Sequence, residues 1–128
     1  MFQSLDFLYL PTEDVDAAAR DYVEQLGATL VWKVRGMGTV VACLHVSETG
    51  PEVLLSGHLE GPLPILIYRV ADYRAAVAAL RAAGLALHEV ELPPGPCASF
   101  VAPGGQRLAV YELVRPGVAE HFAGRIDD

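Results

Sequence analysis

The four histidines could bind a metal or transfer a proton, but their spacing argues against a chelating site. No two of them stand two or four residues apart, the separations that place both side chains on one face of a strand or helix. Surface positions or hydrogen-bonded core positions are therefore the simpler interpretation. We single out His45, because an internal repeat of the sequence aligns it with Phe100 in the middle of a predicted strand, where it could point into a binding site. The four are His45, His58, His88 and His121.

Other residues that could do chemistry occur without a recognisable motif. The serines have no nucleophile-elbow context, and the glycines form no phosphate-binding loop. Cys43 and Cys97 lack the CxxC spacing of redox or metal sites, so we interpret them as free, buried thiols of a cytoplasmic protein. Most acidic residues fall on helices and loops, but Glu52 falls on a predicted strand and shares a face with Leu54.

Composition and charge limit the classes of partner. The 128 residues correspond to one domain, and the 52% of apolar residues predict a packed core. A net charge of −7 argues against nucleic acid or an anionic membrane as a partner. The chain shows no signal-peptide pattern and no apolar run long enough to span a membrane, so we expect a cytoplasmic protein.

An internal repeat organises the elements that position these residues. Residues 8–19 and 66–77 share one plan, which is an apolar strand, a short break, an aspartate and an alanine-rich helix. Asp14 aligns with Asp72, and each is expected to cap its helix. Gly50 aligns with Gly105, in the turn before the last strand of each half. We predict two βαβββ halves at 1–57 and 63–114, a linker at 58–62 and a helical tail at 115–128.

These features resemble the vicinal oxygen chelate superfamily, the glyoxalase, bleomycin-resistance and extradiol-dioxygenase group. The resemblance covers residues 5–113 and is carried by the two strand–aspartate–helix openings and by residues 100–112, FVAPGGQRLAVYE. That segment is similar to the superfamily's Asp-Pro-x-Gly turn and last strand, with Ala102 in place of the aspartate. The resemblance implies an α+β fold in which two βαβββ repeats form an eight-stranded, cup-shaped mixed sheet with helices outside.

The resemblance also locates the positions at which enzymes of the superfamily hold a divalent metal in the cup. Those positions fall on four apolar residues, none of which has a lone pair to donate. We therefore predict that no metal and no other cofactor is bound. The four residues are Phe7, Leu54, Ile65 and Ala109.

Strand alternation extends the predicted site from these four positions to the residues that share their faces. An apolar floor with an aromatic and polar rim suits a small apolar or aromatic molecule with a polar or acidic group, and Arg69 or Arg107 could hold a carboxylate or phosphate. The alternative is that these side chains fill the cup as core. The predicted ligand-binding residues are Phe7, Tyr9, Trp32, His45, Leu54, Ile65, Ile67, Arg69, Phe100, Arg107, Ala109 and Tyr111.

Three functions are compatible with this site. The favoured one is a metal-independent small-molecule-binding protein of the bleomycin-resistance type. The alternative is an enzyme, either a lyase or dioxygenase with displaced metal ligands or a metal-free isomerase that uses Glu52 or His45 as a base. The third is a protein with a filled cup that acts through protein contacts. We also predict a homodimer, because a βαβββ half has sheet edges that a second chain can cover.

Overall fold

The computed structural model describes residues 1–36, 38–57 and 60–127. His58 and part of the predicted linker lie outside the described residues. No helix in the described ranges is long and apolar enough to cross a membrane. The elements are β1 (Phe2–Pro11), α1 (Val15–Leu26), β2 (Thr29–Gly36), β3 (Thr39–His45), β4 (Glu52–Ser56), β5 (Ile65–Val70), α2 (Tyr73–Ala82), β6 (His88–Leu92), β7 (Gly95–Val101), β8 (Arg107–Tyr111) and α3 (Gly117–Phe122).

The chain divides into two compact units. Unit 2 consists of residues Phe7–Pro64 and the described residues from Phe122 onward, and its strand order is β2-β3-β4-β1. Strands β1 and β4 are parallel, whereas β3 is antiparallel to both of its neighbours. Helix α1 packs its Val15 and Ala19 against buried residues of β3 and β4, including Leu44 and Leu55. One face of this sheet therefore packs with α1 in the core. The side chains that alternate with these core residues lie on the opposite face.

Unit 1 consists of residues Met1–Asp6 and Ile65–His121, and its strand order is β5-β8-β7-β6. Strands β5 and β8 are parallel, and the other neighbouring pairs are antiparallel. Helix α2 packs against Val70, Phe100 and Val110. Both helices begin as predicted, because the carboxylates of Asp14 and Asp72 each accept a hydrogen bond of 3.0 Å from a first-turn amide.

The strand registers confirm the predicted α+β class and the two βαβββ repeats. Phe7 pairs with Glu52 in unit 2, and Ile65 pairs with Arg107 in unit 1. The same spacing from the aspartate cap leads to Phe7 and to Ile65, so the alignment of the first strands holds in the structure. The described residues contain eight strands, of mixed direction, and three helices.

Two connections differ from the prediction. Three prolines and a glycine predict a rigid loop at residues 93–96, but the residues from Gly95 belong to β7, which leaves a tight hairpin turn. A Cβ on Gly95 would lie 1.9 Å from the Glu112 carbonyl oxygen, and only glycine permits this approach. The predicted tail helix ends at Phe122, because Gly124 has a φ of 79°. The residues that follow this helix pair with the outer edge of β2 through backbone hydrogen bonds of Lys33.

Candidate functional site

A carboxylate, an imidazole and a thiol meet on the sheet face of unit 2 that points away from α1. Cys43 and His45 flank the core residue Leu44 on β3, so both point to the opposite face. Glu52, on β4, points to the same face. Its Oε2 lies 3.0 Å from Cys43 Sγ and 3.0 Å from His45 Nε2. The two residues predicted as alternative bases are therefore hydrogen-bonded to each other.

Cys43 is the member of this cluster that sequence analysis missed. Its side chain is 1% exposed. Burial, and then the neighbouring Glu52 carboxylate, raise the pKa of the Cys43 thiol above its ordinary value. The thiol is therefore protonated at neutral pH and donates to Glu52, which excludes a thiolate nucleophile at this position. The pairing of β3 with β4 could not be read from a lone cysteine without a motif.

Apolar residues surround this cluster on the same face of unit 2. Phe7 is the β1 partner of Glu52, and Tyr9 is the partner of Leu54. Leu54 and Trp32 each pair with Cys43, from either side of β3. The structure thus brings together the five unit 2 residues that were predicted to bind a ligand, which are Phe7, Tyr9, Trp32, His45 and Leu54.

Two of these residues have further partners within the unit. The Tyr9 hydroxyl accepts a hydrogen bond of 2.9 Å from the Glu60 backbone amide. The Trp32 ring packs against Phe122, with 5.6 Å between the ring centroids. Their side chains are therefore held in place before any ligand binds. Their role in ligand binding stays a prediction.

Six of the seven unit 1 candidates also share one face, opposite the face that α2 covers. Ile65 pairs with Arg107, Ile67 with Ala109 and Arg69 with Tyr111, from β5 to β8. Ile65, Ala109 and Tyr111 are buried. The residues that alternate with them, Leu108 and Val110, pack in the core with α2. The predicted faces of both strands are therefore correct, and ligand binding by these residues stays a prediction.

An ion pair that the sequence did not reveal lies at one end of this face. Asp6 Oδ2 accepts a hydrogen bond of 2.8 Å from Arg69 Nε and another from the Tyr111 hydroxyl. Burial raises the pKa of Tyr111, so the phenol is a neutral donor. Arg69 already neutralises a carboxylate of its own chain. The role of Arg69 or Arg107 as an anchor for a ligand anion stays a prediction.

The Asp6 cluster should make stability sensitive to acid. Burial alone would raise the pKa of Asp6, but hydrogen bonds from Ser4, Tyr111 and Arg69 lower it below the ordinary value. This contribution to the free energy of unfolding is therefore complete above about pH 4, the ordinary aspartate pKa, and is lost as pH falls through the lowered pKa. We expect urea denaturation to show that Asp6→Asn destabilises the protein at pH 7 but much less at pH 3. An equal loss at both pH values would contradict this prediction.

Phe100 requires a correction, because its side chain is core. It is 6% exposed and packs with α2 rather than on the face of the candidate site. The sequence alignment placed Phe100 opposite His45, but the pairing of Cys43 with Leu54 and of Ser99 with Ala109 makes Val101 the equivalent of His45. The turn between β3 and β4 is one residue longer than the turn between β7 and β8 in unit 1. A shift of one residue moves a side chain to the other face of a strand.

The donor groups do not fit the divalent metal that the fold family implies. Phe7 and Leu54 in unit 2, and Ile65 and Ala109 in unit 1, carry no oxygen, nitrogen or sulfur in their side chains. Within the described ranges, no group of three or more histidine, cysteine, aspartate or glutamate side chains is arranged to hold an ion. We derive no chemical step through a metal.

We accordingly expect the purified protein to keep its melting temperature in EDTA. A metal on which folding depends contributes on the order of 10 kcal/mol, so its removal would collapse the transition. Elemental analysis should find well under one divalent metal per chain. One tightly held zinc, nickel, manganese or iron ion per chain, lost together with stability on chelation, would contradict the assignment of the four apolar positions.

A groove that was not predicted lies beside α2 in unit 1 and has a volume of about 850 Å³. Its central polar groups bind each other. Glu89 accepts hydrogen bonds from the Tyr73 hydroxyl at 2.7 Å and from Arg81 at 2.8 Å. Because these groups satisfy one another, we assign no ligand to the groove.

Solved structures resemble this chain in fold. Methylmalonyl-CoA epimerase from Mycobacterium tuberculosis matches with a TM-score of 0.73 and 22% identity, over 92% of this chain and 93% of that one. A Streptomyces coelicolor methylmalonyl-CoA epimerase in complex with 2-nitronate-propionyl-CoA matches with a TM-score of 0.72 and 13% identity, over 90% and 97%. A methylmalonyl-CoA epimerase in complex with methylmalonyl-CoA and NH4+ matches with a TM-score of 0.71 and 13% identity, over 90% and 97%.

Comparisons of sequence gave no match, either to a protein-family model or to a curated protein. The structural matches are to a member of the vicinal oxygen chelate superfamily, so the fold predicted from the resemblance is confirmed. At these identities the likeness shows the fold alone.

Proposed function

We propose that this protein is an isomerase of the vicinal oxygen chelate type that removes a proton from a carbon next to a thioester carbonyl. The observation that carries the proposal is the Glu52 carboxylate, held by Cys43 and His45 on the face of unit 2 that also carries Phe7 and Leu54. The similar structures support an enzyme over the binding protein that we favoured from sequence, because those proteins are epimerases of a CoA thioester.

The chemistry assigned to Glu52 is general base catalysis. Its carboxylate takes the proton, and the electron pair of the broken C–H bond moves to the thioester carbonyl oxygen to give an enolate. Return of the proton from Glu52 to the same face of the enolate gives the original substrate, whereas protonation of the opposite face by water gives the epimer. The 2-nitronate in one of the related complexes is a planar anion of the same kind as an enolate. A positioned base of this type contributes about 10²- to 10⁴-fold to a rate.

His45 is suited to help hold the Glu52 carboxylate. Its ring lies 3.0 Å from the Glu52 carboxylate, and its side chain is 48% exposed. A ring N–H that donates to an ionised carboxylate restricts the orientation of the carboxylate. Glu52 is therefore the base, and His45 is a second hydrogen-bond partner of its carboxylate.

The test is incorporation of deuterium from D₂O into the carbon between the carboxylate and the thioester of methylmalonyl-CoA, followed by mass spectrometry. The proposal predicts exchange well above the rate of an enzyme-free control. Exchange without epimer formation would still support Glu52 as a base. The proposal would be overturned if exchange were no faster than in the control for both epimers of methylmalonyl-CoA and for propionyl-CoA, a second substrate.

Binding without turnover is the second candidate, favoured by the apolar surface that Phe7, Tyr9 and Leu54 place beside Glu52. A ligand that binds only the folded state raises the melting temperature. A thermal shift with an aromatic carboxylate or a CoA thioester, together with no deuterium incorporation, would select binding over catalysis.

We further infer a homodimer from the strand edges. The outer edge of β2 is covered by the chain's own tail, which pairs with Lys33. Strand β6 ends the strand order of unit 1, and an edge strand is a template for pairing with another chain. Sedimentation at micromolar concentration should give twice the chain mass of 13.7 kDa. A species of 13.7 kDa under those conditions would contradict the dimer.

A further inference from the structure

The two carboxylate oxygens of Glu52 have different surroundings. Oε2 receives hydrogen bonds from both Cys43 Sγ and His45 Nε2, each at 3.0 Å. Within residues 1–36, 38–57 and 60–127, no side chain donates a hydrogen bond to Oε1. One oxygen is therefore held by two side chains, and the other has no side-chain donor among the described residues.

We propose that Cys43 is a positioning residue whose thiol holds Glu52 Oε2 and leaves Oε1 to accept the substrate proton. The role in catalysis rests on the proposed function. Of the two donors, Cys43 has the fixed position, because it is 1% exposed in the interior strand β3, whereas the His45 side chain is 48% exposed. Holding one oxygen restricts rotation of the carboxylate and so keeps the base in a productive orientation.

The protonation state of the thiol agrees with this role. Burial and the Glu52 charge raise the pKa of Cys43, so the proton stays on sulfur and points to an acceptor. A thiolate at this position would instead repel the carboxylate. The neutral thiol can donate a hydrogen bond to the carboxylate and so hold it.

Unit 1 provides a matched variant. Ser99 pairs with Ala109 in the same way that Cys43 pairs with Leu54, and both Ser99 and Cys43 are buried. A serine is therefore compatible with this position of the repeat. Cys43→Ser retains a hydrogen-bond donor, whereas Cys43→Ala removes it.

The hydrogen bond can be tested without activity by infrared spectroscopy of the S–H stretch. The Cys97→Ala background leaves Cys43 as the only thiol, because the chain has two cysteines. We expect its band at lower frequency than that of a free thiol, and a return to higher frequency in Glu52→Leu, which keeps the volume but removes the acceptor. A band at the same frequency with Glu52 and with Leu at this position would overturn the proposal.

The catalytic consequence is measured with the deuterium-exchange assay. Cys43→Ala should lower kcat by about tenfold with little change in KM, the effect of losing one hydrogen bond to the base. Cys43→Ser should recover most of kcat. Cys97→Ala, which removes the thiol of unit 1, should leave kcat unchanged. A wild-type kcat in a folded Cys43→Ala protein would overturn the proposal. If the wild-type protein shows no exchange, the proposed function fails, and the S–H band alone decides whether Cys43 positions Glu52.

Discussion

Glu52→Gln is expected to lower the rate of deuterium incorporation into methylmalonyl-CoA by about a thousandfold. The amide has nearly the shape of the carboxylate and can still accept from Cys43 and His45, but it cannot take a proton from carbon. The loss should therefore fall on kcat rather than on substrate affinity. Mass spectrometry of the exchanged substrate, at several substrate concentrations, separates these two quantities.

Glu48→Gln is the matched control, because it makes the same change of charge in the exposed turn between β3 and β4. It should leave the exchange rate within about twofold of wild type, since exposed charges act weakly through water. His45→Ala should slow exchange less than Glu52→Gln, because water can replace an exposed hydrogen-bond donor. Equal rates for Glu52→Gln and Glu48→Gln would show that Glu52 is not the base.

Phe100→Ala should lower the free energy of unfolding by about 3–5 kcal/mol. The Phe100 ring is 6% exposed and packs with Val77, Leu80 and Val110 between α2 and the unit 1 sheet. Its removal takes apolar surface out of contact and leaves a cavity that a helix packed on a sheet can close only in part. Urea denaturation followed by circular dichroism measures the change.

Phe7→Ala is the comparison for this prediction, because Phe7 is half-buried on the face that carries Glu52. It should cost less stability than Phe100→Ala and should weaken ligand binding instead. The core position of Phe100 would be contradicted if Phe100→Ala lowered the free energy of unfolding by less than about 1 kcal/mol and abolished ligand binding. Phe100 would then belong to the candidate site.

Equivalent positions of the two repeats carry different chemistry. Glu52 in unit 2 corresponds to Arg107 in unit 1, since they pair with Phe7 and Ile65 respectively. His45 corresponds to Val101 by the same comparison of registers. The proposed base and its imidazole partner therefore belong to one repeat only. The other repeat instead holds the ion pair of Asp6 with Arg69, which contributes to stability.

The sequence by itself determined the features that depend on neighbouring residues. Asp14 and Asp72 each cap a helix because a carboxylate three residues before an amide can reach it, whatever the rest of the fold does. The alternation of apolar side chains likewise determined the faces of β4, β5 and β8, and hence the apolar residues at the implied metal positions.

Only the tertiary structure decided which residues meet across strands. The face of Phe100 depended on a turn that is one residue longer in one half than in the other, and the pairing of strands, not the pattern within either, sets that register. Asp6 and Arg69 are 63 residues apart, and Cys43 and Glu52 lie on separate strands. Neither contact has a local signal, because hydrogen-bond partners at such separations are chosen by the packing of the whole sheet.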